Sequence, residues 1–160
     1  MPTNLYGPGD NYDLVSSHVI PALIRKAHEA KLNNDPSMVV WGTGSPLREF
    51  MHVDDCADAL VFVMKAYSQH QHINIGYGDD VSILDVTKLV CEAVGYQGAL
   101  AHDLTKPDGT PRKLMCGARL RALGWTPKIT LKAGLASTYQ TFLSHEQSST
   151  PAAQRLAVAS

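Results

Sequence analysis

Val40-Trp41-Gly42-Thr43-Gly44-Ser45-Pro46-Leu47-Arg48-Glu49-Phe50-Met51-His52-Val53-Asp54-Asp55 is the stretch on which the reading of this chain turns. The apolar, partly β-branched run from Met38 to Trp41, bounded by Asp35-Pro36 and Gly42-x-Gly44, predicts a short strand. The glycine pair lacks the third glycine and the following helix that would let backbone amides approach a pyrophosphate, so it is no dinucleotide fingerprint. Arg48, set near apolar residues, offers a planar fork suited to a diphosphate. An ion pair with Glu49 or another carboxylate accounts for it equally well. Asp54 or Asp55 predicts the N-cap of a helix that buries Ala57, Leu60, Val61 and Met64, spaced i, i+3, i+4, i+7. As caps, the two carboxylates have a structural task instead of an acid–base one.

Towards the N-terminus, residues 2–11 are dense in turn formers and predict a loop with a short extended piece near Asn4. Ile20, Leu23, Ile24 and Ala27 form one apolar stripe on a helix running to about Lys31, with Pro21 tolerated in its first turn. Ser16 and Ser17 are its candidate caps. His18 at the helix edge is the one acid–base candidate in this half. The helix dipole there disfavours imidazolium, so a nearby anion is needed to keep it protonated.

Towards the C-terminus, Ile73 to Ile75 predicts a strand closed by Gly76 and Gly78. Ser82-x-x-Asp85 opens a helix carrying Ile83, Val86, Val90 and Ala93 that Gly95 stops. A weak strand at residues 99–102, a charged loop at 105–112 and a short helix at 117–123 follow. Lys106, Arg112 and Lys113 either add positive charge for the same anion or decorate a solvated loop. A last helix over 130–144 carries Leu135, Tyr139, Phe142 and Leu143 on one face, and residues 145–160 read as a disordered tail.

The 160 residues are 44% hydrophobic and 18% charged, a globular composition for one domain or a large piece of one. Fourteen Lys plus Arg against fifteen Asp plus Glu give a net charge of -1, too little positive field for nucleic acid. No run approaches the ~20 apolar residues of a membrane span. Cys56, Cys91 and Cys116 are odd in number and form no C-x-x-C pair, which points to a reduced, cytoplasmic setting. His70-x-His72 in a loop is the nearest approach to a metal-ligand spacing, and no metal site is assigned.

Pro2-Thr3-Asn4-Leu5-Tyr6-Gly7-Pro8, Ser17-His18-Val19-Ile20-Pro21-Ala22-Leu23, the Val40 to Asp55 stretch, and Lys106-Pro107-Asp108-Gly109-Thr110-Pro111-Arg112-Lys113 occur in this order. Together they resemble the GDP-L-fucose synthase family of extended short-chain dehydrogenase/reductases over about residues 2–144. The resemblance implies an α/β fold: the C-terminal substrate-binding portion of such an enzyme, short strands with about five helices, without most of the Rossmann sheet. It implies conversion of GDP-4-keto-6-deoxy-D-mannose to GDP-L-fucose by epimerisation at the two carbons flanking the ketone and reduction by NADPH. His18 is the implied acid. Pro2, Thr3, Asn4 and Leu5, with His18, are the implied lining of the nicotinamide end of NADP. Lys26, Trp41, Arg48, Asp108 and Lys113 are the implied contacts to the GDP-sugar.

In that family a nucleotide-binding half, with its glycine-rich turn, Tyr-x-x-x-Lys pair, serine and catalytic cysteine, precedes the Pro-Thr-Asn-Leu segment. None of these is present in the 160 residues, and no tyrosine here has lysine four positions later. The expectation is therefore a substrate-binding part, residues 1–144, inactive by itself and marginal in stability, with part of the 20–27 helix stripe uncovered. Family members are dimers that pair through helices of the other half, so no dimer carries over. The rival readings are a non-catalytic GDP-sugar-binding fragment, a truncated product without function, and another nucleotide-sugar epimerase or dehydratase.

Overall fold

The structure, a computed structural model, describes residues 1–149. Twelve elements follow in order: β1 (Asn4–Tyr6), α1 (Val19–Leu32), β2 (Ser37–Trp41), β3 (Leu47–Arg48), β4 (Phe50–His52), α2 (Val53–Ala66), β5 (Val81–Ser82), α3 (Ile83–Val94), β6 (Ala99–Asp103), β7 (Arg112–Lys113), α4 (Ala118–Ala122) and α5 (Leu131–Ser149). The strands form three small sheets. β1 pairs in parallel with β4, β2 in parallel with β6, and β3 lies between antiparallel β5 and parallel β7. This is the α/β arrangement expected, with five helices and short strands.

Helix α1 follows its stripe. Ile20, Leu23, Ile24, Ala27 and Ala30 are buried against Val86, Val90 and Val94 of α3 and against Leu135, Tyr139 and Phe142 of α5. The expected uncovered patch on the 20–27 stripe is therefore absent, because α3 and α5 close over it. The capping residue is His18 and makes no side-chain cap bond, so Ser16 and Ser17 are not caps. Ser16 is held instead by Asp13, whose Oδ1 accepts its amide and hydroxyl. Helix α3 is built as its sequence reads: Ser82 accepts the Asp85 amide at 3.0 Å, and Gly95 turns left-handed at φ 75° to end the helix.

Helix α2 departs from expectation. Its N-cap is His52, whose Nδ1 accepts the Asp54 amide at 3.2 Å. Its buried face is Asp55, Cys56 and Ala59, while Leu60, Val61 and Met64 are exposed. Both stripes obey helical spacing, and the partners decide between them. Met51, Ile73, Ile75, Leu120 and Trp125 form a second core on the Cys56–Ala59 side. Asp55 is no cap either: its carboxylate accepts the amides of Lys128 and Ile129, fastening the approach to α5. Asp58 likewise accepts the Trp125 indole N–H at 2.8 Å.

Two further boundaries move. The strand expected at residues 73–75 reduces to a single bridge, Pro2 to Ile75. Helix α5 runs to Ser149, beyond the expected stop at residue 144, and residues 150–160 of the expected tail lie outside the described residues. Its Tyr139 hydroxyl meets His28 Nδ1 at 3.0 Å, and Phe142 packs against the His28 and Tyr12 rings.

Gly134 in α5 shows which of two opposing effects wins. Alanine normally stabilises a helix interior by ~1 kcal/mol over glycine. A Cβ here would overlap the Tyr6 hydroxyl and crowd the buried His52 ring. Tyr6 is 2% exposed and its rigid ring cannot swing away. Gly134→Ala is thus expected to destabilise by about 1–3 kcal/mol, as overpacking does, seen as a lower urea midpoint at unchanged slope.

Candidate functional site

Turns and loops gather the polar side chains around one cleft. β2 ends at Trp41, and Gly42 and Gly44 both adopt left-handed backbone, φ 69° and 75°, on the way to β3. A Cβ at Gly42 would overlap the Asp108 carboxylate, so only glycine lets the 104–111 loop fold down on this turn. Asp108 fastens that loop: Oδ1 accepts the Thr43 amide at 2.9 Å and Oδ2 its hydroxyl at 2.6 Å. These bonds hold the Asp108 carboxyl below the usual carboxylate range, so the clasp stays ionised down to acid pH.

Arg48 lies beneath the same loop. Its Nη1 donates to the carbonyls of Leu47 at 2.7 Å and Thr110 at 2.6 Å. The ion pair with Glu49 does not form. Glu49 is fully buried on the other side, where its Oε1 accepts the Gly78 amide at 2.7 Å and its Oε2 the Met115 amide at 3.2 Å. The two strand neighbours thus face opposite ways, as residues i and i+1 in extended backbone do. Arg48 turns to the cleft and Glu49 to the interior.

A cavity of about 330 Å³ is bordered by His18, Lys26, Trp41, Arg48 and Asp108. Lys26 Nζ stands 4.4 Å from the centre of the Trp41 ring and Lys106 Nζ 5.4 Å, so two ammonium groups flank one indole. Burial lowers the Lys26 ammonium below its ordinary value. Trp41 is 56% exposed, a flat aromatic face at the cleft mouth, with Leu14 and Val15 adding exposed apolar surface beside it. A second cavity, also about 330 Å³, is bordered by Thr3, Asn4, Leu5, Arg48 and again His18.

Four of the five residues expected at a GDP-sugar, and His18, therefore share one cleft. Lys113 does not border it. It sits beside Arg48 in the β3–β7 register, exposed, while its neighbour Arg112 pairs with Asp80 at 2.6 Å. Of the residues expected at the cofactor, Pro2 bridges to Ile75 and stays outside the second cavity. The Thr3 hydroxyl and the Asn4 amide both donate to the Glu49 carbonyl, so they brace β4 as well as border the cavity. Sequence reasoning missed Thr43, whose role needs Asp108 sixty-five residues away, and it missed the buried task of Glu49. The left-handed glycines of Gly42-x-Gly44 are the signal that would have flagged a close approach there.

Short parallel strand pairs with five helices around them make an α/β fold of the extended short-chain dehydrogenase/reductase kind. Residues 1–76, a little under half of the chain, match the NAD dependent epimerase/dehydratase family. Within it, the chain is similar to GDP-L-fucose synthases: 59% identical over 143 residues to GDP-L-fucose synthase 1 of Arabidopsis thaliana, covering 89% of this chain and 44% of that protein. GDP-L-fucose synthase of Sinorhizobium fredii is 54% identical over 145 residues, 91% of this chain and 46% of that one. The fold superposes with a TM-score of 0.85 on a GDP-L-fucose synthetase from Naegleria fowleri bound to NADP, at 32% identity, covering 91% of this chain and 44% of that chain. The chain thus spans a little under half the length of these relatives and matches their C-terminal part. Among the described residues no helix is long and apolar enough to cross a membrane.

Proposed function

We propose that residues 1–144 are the GDP-sugar-binding part of a GDP-L-fucose synthase, acting on GDP-4-keto-6-deoxy-D-mannose together with the nucleotide-binding half that such enzymes carry. The observation that carries this is the shared cleft: His18, Lys26, Trp41, Arg48 and Asp108 border one cavity, and His18 and Arg48 also border the next. Arg48 presents its remaining N–H groups to the diphosphate, Lys26 adds a point charge, and Trp41 offers a face for stacking. Asp108 holds the loop down and keeps that wall in place. His18 stands between the substrate cavity and the one bordered by Thr3, Asn4 and Leu5, where the nicotinamide end of NADP fits.

NADPH, when bound, supplies the two electrons that reduce the ketone. This chain binds and orients the sugar and returns a proton from His18 to the carbon that was deprotonated beside the ketone. The free Cys56, Cys91 and Cys116 suit a reducing cytoplasm. The rival reading is a GDP-sugar-binding module without catalysis. Turnover with NADPH after addition of a relative's nucleotide-binding half separates the two.

Titration calorimetry with GDP tests the binding site directly. Arg48→Ala is expected to weaken GDP about tenfold to a hundredfold, the ~1.5–3 kcal/mol of a charge-assisted bond. Equal heats for both proteins, or none for either, remove the site. UDP and dTDP in place of GDP test the nucleotide choice.

A further inference from the structure

The segment that folds over the cleft carries three basic side chains, Lys106, Arg112 and Lys113, and the fold places each differently. Arg112 pairs with Asp80 at 2.6 Å. Lys113 borders neither of the two cavities described nor a third, of about 260 Å³, lined by the turn of residues 7–9 and His18. Lys106 instead holds its ammonium over the Trp41 ring, 5.4 Å from the centre, where Lys26 Nζ already stands at 4.4 Å. The two nitrogens can be no farther apart than those distances together allow, so two like charges repel each other across one indole.

No carboxylate answers them. Among the described residues the ion pairs of lysine and arginine engage Arg25, Lys88, Arg112, Lys128 and Lys132, and neither Lys26 nor Lys106. The carboxylates of the 103–111 segment are taken up locally: Asp103 Oδ1 accepts the Thr105 amide and hydroxyl, and both Asp108 oxygens accept from Thr43. The root of Lys106 is fixed while its stem is free. Its amide donates to the Asp103 carbonyl at 3.3 Å, and the loop is fastened again by Asp108 on Thr43 and by the Thr110 carbonyl on Arg48 Nη1 at 2.6 Å. Charge then decides what the arrangement suits. Arg48 and Lys26 against the ionised Asp108 leave the cavity one positive charge short of the two on a sugar-nucleotide diphosphate, and Lys106 supplies it.

We propose that Lys106 is a diphosphate-binding residue of this cleft, its ammonium leaving the Trp41 ring to close on the phosphates together with Lys26 and Arg48. This deepens the reading of the cleft as a GDP-sugar site and rests on the diphosphate part of that reading alone. The exchange is favourable because a cation–π contact at an exposed ring is weaker than a charge-assisted hydrogen bond to a phosphate oxygen.

Pyrophosphate, which has the diphosphate without base or sugar, is the probe, titrated into the 160-residue chain by calorimetry. Lys106→Ala is expected to weaken it about fivefold to thirtyfold, the loss of one charge-assisted bond. Lys106→Gln, which keeps most of the stem and removes the charge, should lose as much. Lys65→Ala removes an exposed ammonium of α2 that borders none of the three cavities, and should leave the affinity unchanged. Pyrophosphate bound equally by wild type and Lys106→Ala, or by neither, overturns the proposal. So does full binding by Lys106→Gln, or a loss that Lys65→Ala matches. If pyrophosphate needs Lys106 but GDP does not displace it, the GDP-sugar reading fails and the diphosphate role of Lys106 stands.

Discussion

Glu49→Ala is expected to remove on the order of 3–5 kcal/mol of stability, the largest effect of any single change at the site. The carboxylate is fully buried and satisfies two backbone amides, Gly78 at 2.7 Å and Met115 at 3.2 Å. Alanine leaves both amides unpaired and opens a void against Gly76, whose lack of a side chain makes room for the carboxylate. The residue's own backbone adds to the knot: its amide donates to the Lys113 carbonyl at 3.2 Å, and its carbonyl accepts from Thr3 and Asn4. Glu49 therefore joins β1, the 76–78 turn and the start of the 113–115 segment. Urea unfolding followed by circular dichroism reads the loss as a fall in midpoint. Glu49→Gln separates shape from charge. It fills the same space but presents an N–H₂ towards one of the two donors, so its cost should fall between wild type and alanine. If both variants unfold at the wild-type midpoint, the buried carboxylate is not what fastens these segments.

That role also shows where the sequence was readable. The α1 and α3 stripes were legible because one apolar face alone fits each helix, and the Ser82 and Gly95 caps are local chemistry. The α2 face was not, because Leu60, Val61 and Met64 repeat at helical spacing just as Cys56 and Ala59 do. Only Trp125 and Leu120, some sixty residues on, choose the latter. Strands β3 and β4 are two and three residues long, too short for an alternation to register. The cleft was legible as residue types: Arg48, Trp41, Lys26, Asp108 and His18 converge on it. The task of Asp108 was not. A carboxylate that looked free to accept from a ligand is bound to Thr43, since the loop needs an anchor more than the cleft needs another acceptor. Lys113 fell outside the cavity for a related reason: it lies beside Arg48 in the strand register, yet it borders none of the cavity.

His18→Gln, assayed in the chain supplemented with a relative's nucleotide-binding half, is expected to lower kcat for GDP-L-fucose formation about a hundredfold to ten-thousandfold, the range for loss of a general acid. GDP affinity, proposed to rest on Arg48 and Lys26, should change little. The geometry sets this apart from a binding defect. His18 borders all three cavities, its ring is exposed and it makes no cap bond to the helix it begins, so nothing in the fold depends on its proton. Glutamine retains the volume and a hydrogen-bonding end but cannot deliver a proton, which makes it the informative replacement. Exchange of solvent deuterium into the carbons beside the ketone refines the result. Deprotonation should persist in His18→Gln while inverted product fails to accumulate, since the base lies elsewhere and the acid is gone. A loss of turnover matched by an equal loss of GDP affinity would instead make His18 a contact for the sugar, with the proton supplied by another group.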